Sequence, residues 1–117
     1  MSDLNRRAAE ILWGDPIQNK NGNMKYWDKE NYTMRDGNSF DPCNRIEHAW
    51  MLVEWLVEHG YFVDVQYYKD LEGKAGANCG IDKRELSAPG EWHAIEWDTS
   101  ATLAITRAFL AAVGDSE

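Results

Sequence analysis

The sequence predicts an α+β domain in which helices pack on antiparallel sheet, in the order α-β-β-α-β-β-α. Three observations point there. Apolar residues recur at helical spacing in 2–13, 44–59 and 99–113, "YFVDVQYY" and "EWHAIEW" alternate with a period of two, and the connections read as short and antiparallel. With 117 residues, the chain is long enough to bury one core and is read as a single domain spanning 1–117.

The first helix carries Leu4, Ala8, Ile11 and Leu12 as its stripe, with Ser2 or Asp3 to cap it and Gly14 and Pro16 to stop it. Turn-formers cluster at 19–23. "MKYW" and "NYTM" then predict a hairpin around a polar turn at Asp28–Glu30. In "FDPCNRIEHAWMLVEWLVEHG", residues 40–60, Asn44 and Glu47 match a capping box, and Asp41-Pro42 offers a start one step earlier. At 100° per residue, Ile46, Ala49, Trp50, Val53, Leu56 and Val57 fall in an arc of about 120°, the width of a core stripe. They are expected to bury against a sheet with Val63 and Val65, leaving Trp55 outward, and Gly60 fits a left-handed cap.

After the strand at 61–68, "DLEGKAGANCGIDKRELSAPG" is glycine-rich and mixed in charge, so it reads as a loop before the strand "EWHAIEW". The last helix, about 99–113, has Ala101, Ala104, Ile105, Ala108 and Ala112 on one face and Leu103, Thr106, Leu110 and Val113 on the other. A helix apolar on both sides is either sandwiched internally or placed at an interface. A two-fold homodimer is therefore expected, with a contact that includes the terminal helix, Trp55 or both.

Composition narrows the function. The net charge of −8 and pI near 4.8 give no basic footprint for direct nucleic-acid binding, and suit basic partners or solubility. Two distant cysteines and the lack of a signal-peptide or membrane-length apolar run fit a reducing cytoplasm. No metal or cofactor site is expected: His48 and His59 are eleven residues apart, about 16 Å along a helix, and no Walker loop, GxGxxG or HExxH occurs.

Three candidate surfaces remain. Glu47, Glu54 and Glu58 share a flank of the central helix beside Trp55, an acidic and aromatic combination typical of protein-binding hot spots. A second is aromatic: Tyr26, Trp27, Tyr32, Tyr67, Tyr68, Trp92 and Trp97 fall on predicted strands, half of them expected in the core. The rest would form a pocket for a nucleotide base, with Arg35, Lys69, Lys83 or Arg84 at its phosphate; Arg35, Tyr68, Lys69, Trp92 and Trp97 are the candidate ligand set. The third is a nucleophile, Cys43 near a helix N-terminus, which a histidine such as His93 could activate. A capping or turn role is the plainer reading of Cys43.

The string "FDPCNRIEHAWMLVEWL" resembles the central motif of small tailed-phage proteins, the phage ABA sandwich domains and NinX-like proteins, in Phe40, Pro42, Cys43, Asn44, Ala49, Trp50, Val53, Glu54 and Leu56. Trp92 and Ala94, then Ala101, Ala104, Ile105, Arg107, Ala108, Leu110 and Ala112, match their later motifs, so the likeness covers about 38–114. The resemblance implies a three-layer helix/antiparallel sheet/helix sandwich and a phage or prophage origin, but no chemistry. "GNMKYWDKENYTMRDG" and the segment after Tyr68 depart from the pattern. Together these features predict an accessory protein of the infected bacterial cytoplasm. It would bind and inhibit a host protein, antiviral or regulatory, through an acidic and aromatic surface, as in counter-defence. Such a target could carry a basic nucleic-acid-binding groove. The alternatives are a sponge for a nucleotide second messenger and a small hydrolase using Cys43.

Overall fold

The computed structural model describes residues 3–20, 23–37, 39–69, 71–83 and 94–113. Helix α1 (Asp3–Trp13) leads into β1 (Gln18–Lys20), β2 (Asn23–Asp28) and β3 (Thr33–Asp36), an antiparallel sheet in that order. Helix α2 (Ile46–Glu58) follows. β4 (Tyr61–Lys69), β5 (Ala75–Lys83) and β6 (Ala94–Asp98) form a second antiparallel sheet, and α3 (Ala101–Ala112) follows it.

The α+β class and the three helices agree with the sequence pattern, and each sheet has one strand more than expected. β1 occupies part of the turn-rich stretch. β5 lies inside the segment read as a loop, and it is the central strand of the second sheet. Its residues are small because α3 packs directly on it. Ala77, Cys79 and Ile81 face the helices and are fully buried, in register with Val65 (opposite Cys79) and Val63 (opposite Ile81), both half-buried.

Helices and sheets pack on one another as an α+β sandwich requires. α3 lies on β5 and β6, α2 lies on β4, and α1 packs against α3, α2 and β2. The first sheet buries Tyr26, which meets Trp13 of α1 at 5.9 Å between ring centroids.

α3 is sandwiched internally: Ala104, Ile105, Thr106, Ala108 and Phe109 are fully buried, and Leu110 and Ala112 nearly so. Small alanines let the helix approach the sheet closely, and Phe109 and Leu110 fill the wider gap between helices. Leu103 of this helix and Val113 at its C-cap are half-buried.

The face of α2 is the main correction. Ala49, Leu52, Val53 and Leu56 are buried, whereas Ile46, Trp50 and Val57 are 46, 49 and 47% exposed. The buried arc is rotated away from Trp50. Trp55 is not outward: half-buried, it meets Phe109 edge-on at 5.5 Å and stacks on His59 at 3.8 Å. Nine of the thirteen residues in "IEHAWMLVEWLVE" are apolar, so periodicity alone leaves the facing direction weakly determined. α1 and α3 then select the side with Leu52 and Trp55.

Gly60 has φ +90°, the left-handed value expected after a helix, and its amide reaches the Val57 carbonyl at 3.2 Å. No helix among the described residues is long and apolar enough to cross a membrane.

Candidate acidic cleft and the turn that holds it

The turn before α2 is organised by Asp41 and Asn5 rather than by Asn44. The N-cap position is Arg45, without a side-chain capping bond. Asn44 stands one residue before the cap position, and its side-chain Nδ2 donates to the Asp41 carboxylate at 3.1 and 3.2 Å. The Asp41 carbonyl accepts from the amides of Asn44 and Arg45, and the Asp41 amide donates to Nδ1 of His48 at 2.8 Å.

Asn5 of α1, only 4% exposed, pins this turn from behind. Its Nδ2 donates to Asp41 Oδ1 at 2.8 Å, and its Oδ1 accepts from the Cys43 amide at 3.1 Å. The two partners, one acceptor and one donor, fix the amide's orientation. From the other side, the Thr102 hydroxyl of α3 donates to the Cys43 carbonyl. The one local sign of these tertiary bonds is a polar residue, Asn5, one helical turn before the small pair Ala8-Ala9.

Cys43 is thus a tether point, with its side chain buried. Cys79 is fully buried, and burial pushes its thiol up to about 12. His93, the histidine considered for activating Cys43, lies outside the described residues. Among the described residues, no three His, Cys, Asp or Glu side chains are grouped to hold a metal ion.

A cleft of about 980 Å³ opens between the C-terminal end of α1, the β2–β3 turn and the outer flank of α2. Trp13, Trp27 and Trp55 provide apolar wall, with Met51 beside them. Four carboxylates line it, Asp28, Glu30, Glu54 and Glu58, against two cations, Lys29 and Arg35. One of those cations is already neutralised. Arg35 donates from Nε and Nη2 to Asp28 Oδ2 at 3.1 and 2.9 Å, and its guanidinium lies 5.8 Å from the Trp13 ring centre.

Asp28 also receives the amides of Glu30 and Asn31 and the Asn31 side chain, which closes the turn. Burial works against its ionisation, but the hydrogen bonds from Asn31 and Arg35 outweigh it and hold the carboxyl below its ordinary value. Tyr32 completes the turn at φ +51°, a left-handed value, with its side chain 82% exposed.

The sequence-predicted residues divide between places. Glu54, Trp55 and Glu58 meet in the cleft; Glu47 does not, being exposed in the first turn of α2 and paired with Arg45 at 3.4 Å. Burial of Trp55's ring makes it a wall rather than a protruding anchor. Arg35, on β3 of the first sheet, is committed to Asp28, whereas Tyr68 and Trp97 lie on strands of the second sheet.

Tyr68 and Trp97 do come together, on the outer face of the second sheet. Tyr68 is opposite Gly76, and the Trp97 ring lies across the same glycine, 2.6 Å from where a β-carbon would stand. Only glycine accommodates that ring. The two aromatics are 44 and 38% exposed, and Lys69 is exposed at the strand end. Trp92 and Arg84 lie outside the described residues, as does the side chain of Lys83.

The fold and cleft define an α+β protein with an acidic, tryptophan-walled groove formed by a helix flank and a hairpin turn. Compared with family models, curated proteins and solved structures, the chain matches none.

Proposed function

We propose that this chain is a phage or prophage accessory protein that works by non-catalytic binding in the cytoplasm of the infected host. Its acidic cleft takes a basic segment of a host protein and so blocks an antiviral or regulatory activity. The observation that carries the reading is the convergence of Glu54, Glu58 and Trp55 with Trp13, Trp27 and Glu30 in one open groove. Carboxylates beside tryptophan faces suit lysine or arginine side chains: the carboxylates supply long-range attraction, and the rings accept the cation at close range. The surplus of carboxylates disfavours phosphate at the same place. A host protein whose basic surface normally holds nucleic acid is the partner class that fits.

The test is affinity capture from a bacterial host with the wild type and with Glu54→Lys/Glu58→Lys, both exposed positions. Loss of specific partners in the variant is expected, with nucleic acid competing for those partners in the wild type. Recovery of the same partners by both proteins would remove the acidic cleft from the mechanism.

A second reading is favoured by Tyr68 and Trp97 flanking Gly76 on an open sheet face: sequestration of a nucleotide messenger by base stacking. A ligand present at a hundredfold its Kd would add about 2.7 kcal/mol of stability. A thermal-shift panel of cyclic and ADP-ribose-type nucleotides that gives no such rise would leave only the cleft.

A further inference from the structure

β4 is an edge strand: the second sheet runs β4-β5-β6, and no described strand pairs on the other side of β4. It is nine residues long and contains neither proline nor glycine. Monomeric proteins commonly blunt such an edge with a bulge, a proline or a central lysine. Here the only lysine is at the end, Lys69.

The strand is also complementary to itself. Antiparallel pairing with a second copy about a two-fold axis at Val65 sets Asp64 opposite the partner's Gln66, and Val63 opposite the partner's Tyr67. Tyr68 then meets the partner's Phe62. Each register pair is favourable: carboxylate with amide, aliphatic with aromatic, aromatic with aromatic. Moving the axis one residue back sets Asp64 against its own copy. That alternative register is therefore disfavoured.

The helix above the strand supplies a matching surface. α2 lies over β4 with α3 at one flank, and α3 in turn covers β5 and β6. The flank opposite α3 thus lies toward the side of β4 on which no described strand pairs. Ile46, Trp50 and Val57 form the half-exposed apolar stripe beside that side. Since a two-fold axis reverses the helix direction, Ile46 approaches the partner's Val57, and Trp50 approaches the partner's Val53.

We infer that this chain forms a two-fold homodimer by joining β4 to the β4 of a second copy, making one six-stranded sheet with paired α2 helices above the seam. This interface differs from the terminal helix and Trp55 considered from the sequence. Of the residues named at this seam only Val57 also lines the acidic cleft, and the inference does not depend on what the cleft binds.

Light scattering across low to high micromolar protein should give a mass rising to about twice 13.4 kDa. Gln66→Asp places two like-charged pairs in each dimer and should weaken association roughly tenfold, more at low salt. Asp64→Lys/Gln66→Asp restores opposite charges and should recover the dimer. Trp50→Glu should dissociate it, with circular dichroism of dilute protein reporting that each variant is folded. A mass of one chain at the highest concentration overturns the inference. So does a dimer equally strong in Gln66→Asp and Trp50→Glu, since it would use another surface.

Discussion

Replacing Asn5 by Ala tests how far the approach to α2 depends on a bond from another helix. The substitution removes an acceptor from the Cys43 amide and a donor from the Asp41 carboxylate. The Cys43 amide lies in a buried position, and an orphaned buried donor costs about 1–3 kcal/mol. Asp41 loses less, about 1 kcal/mol, because Asn44 still donates to it and water reaches it. Together the loss should be about 3 kcal/mol, a fall in Tm of roughly 10 °C for a domain of this size. Urea unfolding with an unchanged slope would measure it directly. Asn5→Asp serves as a control: it keeps an acceptor for Cys43 but sets a second carboxylate against Asp41, so it should not rescue. A loss under 1 kcal/mol in Asn5→Ala would mean that water reaches the Cys43 amide. The clamp between α1 and the turn would then be wrong.

Two other predictions concern α2. In dilute protein Trp55→Ala should cost about 3–4 kcal/mol, whereas Trp50→Ala, with half its surface already in water, should cost about half as much. The reverse order in chemical unfolding would restore the face expected from the sequence. His48 is held below its ordinary pKa by burial, then by Arg45, and its Nδ1 accepts the Asp41 amide. Its contribution to stability is therefore complete at neutral pH and is lost as pH falls from about 6.5, where the unfolded chain protonates first, through the lower folded value. His48→Gln should flatten that part of the stability profile, and an unchanged slope would assign it to other groups.

What could be read from the sequence was what depends on local pattern. α1, α3, β4 and the hairpin follow from periodicity and turn residues, and Gly60 from the needs of a helix end. β5 escaped because the same small residues that let α3 approach it, in "AGANCG", also make a stretch look like a loop. Its alternation of Ala77, Cys79 and Ile81 was present but outweighed by the glycines. The orientation of α2 escaped for the opposite reason: too many apolar residues, so that neighbouring helices rather than the helix itself decide which are covered. Asn44 matched a local capping pattern, but a carboxylate three residues earlier engages its amide. Of the acidic site, Glu54, Trp55 and Glu58 were legible as one flank. Trp13 and Trp27 were not, since their meeting depends on how the hairpin docks against α1.

The position of α3 also bears on how the chain reaches its native state. α3 follows both sheets in sequence, and α1 packs against it from about a hundred residues away. As the chain emerges from a ribosome, Ala8, Ala9 and Tyr26 have no completed core to enter until residues beyond 100 are available. Such late, long-range closure slows folding. It also ties the hairpin, the acidic groove and the second sheet to the same late closure.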